Sequence, residues 1–185
     1  MNSSAIPKIR YTYREYQYFP DNGFRHEIID GDHYMSPAPS TKHQRVSSHL
    51  QFQLYTQIKL TKRGVVFDAP TDVELAPHDI VQPDLLVVMN AHKQIIGQKR
   101  IIGVPDLIIE ILSESNPEHD RSLKFEMYRK NNVPEYWIVD PHGETVQQWV
   151  LDSLSNYLLL GSHHESISVS TISEVKVNLL AVWED

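Results

Sequence analysis

Two short apolar segments that carry acidic residues stand out in the hydrophobic pattern of this chain. The apolar residues 85–88 follow Asp84, and Glu110 lies inside a run of Leu and Ile at 107–112. Such runs, bounded by Pro and Gly, predict buried strands. A buried carboxylate is costly unless it is paired, hydrogen-bonded or bound to a cation. We therefore expect Asp84 and Glu110 to converge at one edge of a sheet and bind Mg²⁺ or Mn²⁺. The alternative for Glu110 is a core glutamate with a buried Arg or Lys partner.

The first third of the pattern predicts a short helix, a hairpin and a long helix. Residues 12–19 begin with a capping box, and residues 24–36 form two strand-like arms around an Asp-Gly turn. Glu27 lies on the first arm, where the alternative interpretation is a solvated strand residue. Residues 40–63 repeat apolar side chains every four positions and predict a helix. We expect His43, near its start, to be an exposed polar residue; the alternative is contact with a phosphate or a metal-bound water.

The middle of the chain predicts further strands around the first acidic segment. Residues 65–75 predict two strands joined near a proline, and residues 77–81 predict a turn. Gln82 shares a side with Asp84 because strand periodicity is two. The polar and basic residues 90–104 predict a loop with a short helix, which is a candidate lid or nucleic-acid contact and otherwise a solvated excursion.

A helix is predicted directly after the second acidic strand, over residues 118–131. Asp120, Lys124 and Tyr128 recur at four-residue spacing and share one stripe of it. The alternative for the first two is a surface ion pair. Because the helix follows the Glu110 strand and packs back over it, we expect Lys124 to point inward at the acids. Apolar strands are predicted beyond the helix, at 135–140 and 145–151 and more weakly at 157–160 and 175–180. The adjacent histidines 163 and 164 are expected in a loop.

Composition and charge limit the classes of protein. The chain has 185 residues, no cysteine and a formal net charge of −7. The missing cysteines exclude disulfides, thiolate zinc sites and cysteine nucleophiles, and they agree with a cytoplasmic location. The net negative charge argues against a protein whose whole surface binds DNA, but it allows a local basic face. No apolar run is long enough for a membrane span. We expect an arm at 1–11 and one domain at 12–185.

Several short motifs follow one another in an order typical of one known family. They are Glu27-Ile28-Ile29-Asp30-Gly31, then Met35-Ser36-Pro37-Ala38-Pro39 with His43, Pro83-Asp84-Leu85, Pro105-Asp106-Leu107-Ile108-Ile109-Glu110-Ile111-Leu112-Ser113, the set Asp120, Lys124 and Tyr128, and Val133-Pro134-Glu135-Tyr136-Trp137-Ile138-Val139-Asp140-Pro141. This ordered set, over about residues 12–150, resembles the Uma-type restriction endonuclease family. That family is a domain-of-unknown-function branch of the PD-(D/E)XK nuclease superfamily. The resemblance implies an α/β (α+β) restriction-endonuclease-like core, in which helices flank a central mixed sheet.

The resemblance also implies an active site. Asp84 and Glu110 match the metal-binding acids, and Glu27 matches an early acidic residue that adds a metal or water ligand. The superfamily usually has a lysine two residues after the second acid, but this chain has Leu112 there. Lys124 matches a lysine displaced onto the next helix. The second-tier candidates are Gln82, Asp120, His43 and Tyr128.

The expected activity is Mg²⁺- or Mn²⁺-dependent hydrolysis of phosphodiester bonds, with DNA as the substrate. Basic side chains must then hold the nucleic-acid backbone, and the candidates are Arg121, Arg129, Lys130, Lys93 and Arg100. By analogy with restriction enzymes, a homodimer is also expected. One alternative is a catalytically inactive module of the same fold that binds nucleic acid or protein. Leu112 at the usual lysine position and the net acidity favour it. Another is a cupin-like barrel with histidine ligands, which two long helical segments fit poorly.

Overall fold

The computed structural model describes residues 9–113 and 120–184, without the side chains of Asp120 and Arg121. In this part of the chain the fold is α+β, with mixed sheets and a few helices. The predicted class is therefore confirmed. No helix among the described residues has both the length and the apolar character that crossing a membrane requires.

The helices are short apart from one. They are α1 (Tyr13–Tyr16), α2 (Thr41–Leu54), α3 (Phe125–Lys130) and α4 (Leu180–Trp183). π-helical turns extend α2 over Tyr55–Lys59 and precede α3 over Asp120–Lys124, and a 3₁₀ helix covers Asn90–Ile95.

Strands make up most of the remaining regular structure. They are β1 (Arg25–Ile29), β2 (Asp32–Ser36), β3 (Gly64–Asp68), β4 (Val73–Ala76), β5 (Asp79–Val81), β6 (Leu85–Met89), β7 (Ile101–Ile102), β8 (Leu107–Ile111), β9 (Glu135–Asp140), β10 (Thr145–Leu151), β11 (Tyr157–His163), β12 (Ser166–Ser168) and β13 (Lys176–Asn178). A six-stranded sheet has the order β11-β10-β9-β8-β6-β3, and a five-stranded sheet has the order β2-β1-β5-β4-β7. β12 and β13 pair separately. Within the large sheet β8 and β9 run parallel, and the other pairs are antiparallel.

The large sheet buries both of its faces, which explains why its central strands are almost wholly apolar. One face packs under α2 and the C-terminal segment, and Ile109 and Ile111 belong to that core. The opposite face packs against α3 and the smaller sheet, and Ile108 and Leu112 belong to that second core. Since side chains alternate along a strand, Glu110 faces α3.

Local sequence signals account for several element boundaries. Thr12 accepts a hydrogen bond from the first turn of α1 and forms the predicted capping box with Glu15. Ser40 accepts a hydrogen bond from the backbone N–H of His43 and caps α2, as predicted. The buried stripe along α2 and its π-helical extension is also as predicted.

Two predictions about elements are wrong. Residues 77–81 were predicted to form only a turn, but Asp79–Val81 is β5, which continues the hairpin that β4 begins. His163 ends β11 instead of lying in a loop. The two strands predicted in 65–75 are present as β3 and β4, and they lie in different sheets. The error at β5 arises because a strand this short gives too few alternating positions to show a period.

Candidate active site

The two acids of the apolar segments are neighbours across the β6–β8 pair. Leu85 pairs with Ile109 in antiparallel register, so the preceding Asp84 comes opposite Glu110. The backbone N–H of Ile111 donates a hydrogen bond of 2.8 Å to Asp84 Oδ2. Both carboxylates are buried, with 3% of Asp84 and 4% of Glu110 exposed. The predicted convergence of the two acids is therefore present in the fold.

Lys124 reaches this pair of strands from the π-helical turn before α3. Its Nζ lies 3.0 Å from Glu110 Oε1 and 3.1 Å from Glu27 Oε1. The Tyr128 hydroxyl, one turn further on, donates a 2.6 Å hydrogen bond to the same Glu110 oxygen. We call Glu27, Glu110, Lys124 and Tyr128 the inner cluster. Lys124 points inward, as expected for a helix that packs back over the Glu110 strand.

Electrostatics within the inner cluster are dominated by burial. Burial raises the pKa of Glu110 above its usual range, and the charges of Asp84 and Glu27 raise it further. Lys124 and the Tyr128 hydroxyl oppose that rise but do not cancel it. Burial and the Glu110 carboxylate also raise the pKa of Tyr128. The phenol therefore stays protonated, and its hydroxyl donates a hydrogen bond to Glu110. Glu27 and Glu110 therefore share the positive charge of Lys124.

Asp84 has a second set of partners on its other side. Arg25 Nη1 donates to its Oδ1 at 2.7 Å, and His43 Nε2 lies 3.0 Å from its Oδ2. Burial alone would raise the pKa of Asp84, but hydrogen bonds from His43 and Ile111 and the Arg25 charge hold it well below its usual range. We call Arg25, His43 and Asp84 the cleft group. His43 is buried, so the expectation of an exposed residue is wrong.

Glu27 and Gln82 are joined through the backbone. The backbone N–H of Gln82 donates to Glu27 Oε1 at 3.0 Å. The Gln82 side chain turns away and donates to Asp72 Oδ1 and the Tyr16 hydroxyl. Glu27 is 3% exposed, so its alternative interpretation as a solvated residue is wrong. Gln82 therefore acts on the site by holding Glu27.

An open cleft of about 370 Å³ borders the cleft group. Its lining comes from four segments: the loop that leads into β1, the start of α2 with the loop before it, the turn after β3, and the residues just before β6. The lining residues are Asp21, Gly23, Phe24, Arg25, Ala38, Pro39, His43, Gln44, Ser47, Asp68, Ala69, Pro70, Gln82 and Asp84. Asp84 is therefore the acid that contacts both the cleft and the strand that carries Glu110.

Four of the five basic residues predicted to hold a nucleic-acid backbone do not line this cleft. Arg129 pairs with Glu126, and Lys130 lies 3.4 Å from Asp30 Oδ1. Arg100 pairs with Glu74, and its guanidinium lies over the Tyr13 ring. Lys93 lies on the 3₁₀ helix and is exposed. The side chain of the fifth, Arg121, lies outside the described part of the chain, as does that of the second-tier candidate Asp120.

Arg25 is the functional candidate that sequence reasoning missed. It lies two residues before Glu27 on β1, so strand periodicity places both on one side of the strand. That spacing was visible in the sequence. The signal was weak, since an arginine at a strand end is most often a solvated side chain.

The donor set suits a hard divalent cation. Within the described residues, the hydrogen bonds that Glu27 and Glu110 accept all end on Oε1 of each, which leaves Oε2 for another ligand. No group of three or more acidic or histidine side chains in the same residues is arranged as a metal cage. Mg²⁺ is usually held by one or two carboxylates with waters and substrate phosphates, so two acids meet its requirement.

Comparisons with known proteins identify the family from one match and the fold from another. The model of the family Uma2, described as "Putative restriction endonuclease", matches residues 12–180. A solved structure from Anabaena variabilis, titled as that of a putative nuclease belonging to DUF820, superposes with a TM-score of 0.75 at 20% identity. The match covers 93% of this chain and 97% of that one. No curated protein gave a match.

Proposed function

The chain belongs to the Uma2 family of nuclease-like proteins, and from this premise we propose that it is a divalent-metal-dependent endonuclease that hydrolyses phosphodiester bonds of DNA. Asp84 and Glu110 would hold Mg²⁺ or Mn²⁺, which polarises a phosphate oxygen and lowers the pKa of a bound water. Glu27 would contribute a further ligand to the ion or to a water.

One observation carries the proposal: Lys124 Nζ lies 3.0 Å from Glu110 Oε1. The usual strand position for this lysine is filled by Leu112, which packs into the core beside α3. An ammonium that arrives from the next helix supplies the same charge at the same carboxylate. Lys124 would stabilise the negative charge that develops on the phosphate and orient the attacking water.

The remaining residues of the site have supporting roles. The Tyr128 hydroxyl donates to Glu110 Oε1, which leaves Oε2 as the donor toward an ion. His43 and the Ile111 N–H fix the orientation of Asp84 through Oδ2. Ordered hydrogen bonds of this kind typically set the geometry and affinity of a metal site.

The saturation of Asp84 favours a second candidate, a catalytically inactive nuclease-fold module that binds nucleic acid or protein. Both oxygens of Asp84 already accept hydrogen bonds from protein groups. In this alternative Arg25 and Lys124 are permanent counter-ions of the acids, and no metal replaces them.

The variant Asp84→Asn tests the proposal. It keeps the size of the side chain and removes one charge, so binding of Mn²⁺ measured by titration calorimetry should become undetectable. Cleavage of supercoiled plasmid in Mg²⁺ should be lost with it. Asp79→Asn is the matched control, since Asp79 is equally buried but bonds the Asp30 N–H and Asn131.

The outcomes separate the two candidates. Metal binding and cleavage that survive Asp84→Asn would falsify the site assignment. A wild-type chain that binds nucleic acid but neither binds Mn²⁺ nor cleaves supports the inactive module.

A further inference from the structure

The cleft beside Asp84 combines an aromatic ring with an arginine. Phe24 and Arg25 are consecutive residues, and both line the cleft. Phe24 is 50% exposed, which is a large share of apolar surface to leave beside a site of buried charges. An accessible aromatic ring next to a cation is the usual arrangement for a nucleotide, in which the base stacks and the phosphate pairs.

Arg25 has hydrogen-bonding capacity left over. Its hydrogen bonds to Asp84 Oδ1 and the Gln82 carbonyl both use Nη1. Within the described residues, Nε and Nη2 donate to no protein acceptor. A guanidinium carries five N–H donors in a planar fork that fits phosphate oxygens. Arg25 can therefore contact a phosphate while it stays bound to Asp84.

The charge of the lining disfavours a double-stranded backbone here. Arg25 is the formal cation among the described lining residues, whereas Asp21, Asp68 and Asp84 are acidic. Duplex binding normally needs several cations, because each phosphate contact releases a counter-ion. The exposed carboxylates of Asp21 and Asp68 are hydrogen-bond acceptors, so they suit the amino groups of a base edge.

The size of the cleft also suits one nucleotide of a DNA strand. Its volume of about 370 Å³ lies at the small end of ligand sites, which span roughly 300–1,000 Å³. His43, a buried member of the wall, has its Nδ1 without a hydrogen-bond partner in the described structure. A polar group is therefore still to be satisfied beside the cleft.

We propose that this cleft is a subsite for one unpaired nucleotide, with its base stacked on Phe24 and its phosphate on Arg25. The inference deepens the proposed function and rests on it, because it names single-stranded or frayed DNA as the substrate class. Arg25 is a positioning residue here, because it would contact the phosphate while it stays hydrogen-bonded to Asp84.

The test measures binding without cleavage. The full chain is titrated, in Ca²⁺ and separately in EDTA, into a short single strand carrying one 2-aminopurine and into the matched duplex. Fluorescence quenching reports stacking, and anisotropy of an end label reports affinity. Phe24→Ala should weaken single-strand binding about 5- to 150-fold, the range for loss of one base–aromatic stack. Phe24→Trp should preserve both signals.

Phe52→Ala is the matched control. Phe52 is 71% exposed on α2 and does not line the cleft, so its loss should leave binding unchanged. Arg25→Gln should lower affinity and reduce the salt dependence of binding by about one phosphate contact. Because that change also removes a partner of Asp84, Gln44→Glu on the exposed cleft wall serves as a second charge test. Its control, Thr56→Glu, lies twelve residues further along the same helix.

Each result decides the matter. Equal single-strand affinities for Phe24→Ala and Phe52→Ala overturn the subsite, as does a duplex that binds as tightly as the single strand. A chain that binds neither the single strand nor the duplex overturns the subsite too. If binding depends on Phe24 but the chain never cleaves DNA, the subsite stands and the nuclease proposal fails. If the chain cleaves DNA equally well without Phe24 or Arg25, the nuclease proposal stands and the subsite fails.

Discussion

The inner cluster and the cleft group are two charged assemblies with one acid each from the β6–β8 pair, and they differ in what surrounds them. In the inner cluster, Lys124 serves two carboxyl groups at once, and burial raises the pKa of Glu110, which disfavours its charged form. In the cleft group, one carboxylate has two partners, and Asp84 holds its charge easily. The difference shows that carboxylates outnumber their cationic partner in the inner cluster, whereas partners outnumber the carboxylate in the cleft group.

The largest expected effect comes from Lys124→Met, which removes the scarce charge. Cleavage should fall about 100- to 1,000-fold, as for the loss of one preorganised electrostatic contact. Unfolding free energy in urea should fall by about 3–5 kcal/mol, because the change leaves unpaired charge in the interior. Plasmid cleavage and urea titration measure the two losses.

A second change separates those losses. Adding Glu27→Gln to Lys124→Met removes one of the two competing carboxylates, so much of the stability should return while cleavage stays low. Full cleavage by Lys124→Met would contradict an electrostatic role for the lysine.

A smaller effect is expected in the cleft group, where partners are in surplus. His43→Leu leaves Asp84 Oδ2 with the Ile111 N–H alone, and affinity for Mn²⁺ should fall about 10- to 100-fold. His43→Gln retains a donor and should recover most of that affinity. Titration calorimetry measures both variants.

His49 provides the control on the same helix. Its Nδ1 contacts the Val182 carbonyl, away from Asp84, so His49→Leu can alter stability but should not alter Mn²⁺ affinity. A His43→Leu variant with unchanged affinity would remove His43 from the list of residues that orient Asp84.

The smallest effect concerns the β1–β2 hairpin, which supplies Arg25 to the cleft group and Glu27 to the inner cluster. Burial and the neighbouring His26 lower the pKa of His33 below its ordinary 6.5. As pH falls through about 6.5, the unfolded chain therefore takes up this proton before the folded one, and stability declines until the lower folded pKa is passed. His33→Gln should make the urea midpoint less sensitive to a change from about pH 7.5 to about pH 5.5.

The control for the hairpin is His164→Gln, an exposed histidine that lies outside the hairpin. Metal affinity should be the same in both variants at the higher pH. An unchanged slope for His33→Gln would show that the histidine pair does not tune the hairpin.

Much of the fold was predictable because its long strands and helices have clear periods. The stripe along α2 follows from spacing, and the Glu110 strand follows from its continuous apolar run. Lys124 was predictable to face inward because the helix after that strand packs back over it. His43 was not, because an isolated histidine near a helix start carries no sign of burial; only the packing of α2 on the sheet brings it to Asp84.

The cleft lay beyond sequence reasoning for a different cause. Its walls come from four separate segments of the chain, and the aromatic ring lies in a loop without a period. The predicted basic face shows the same difficulty. Arg129 and Arg100 were counted by charge, but each is paired with an acid. Glu126 lies at i, i+3 spacing from Arg129 and was visible in the sequence, whereas Glu74, the partner of Arg100, was not.

The parallel pairing of β8 with β9 has a consequence for how this chemistry is inherited. Strands that run the same way cannot be joined by a tight turn, so the chain must leave the sheet and travel back across it. That return path includes the helical turns with Lys124 and Tyr128. A lysine can therefore lie either on the strand or on the connection that follows it, with its ammonium group at the same position in space. Linear motif searches that demand a fixed interval will pass over such proteins, whereas searches by spatial proximity will find them.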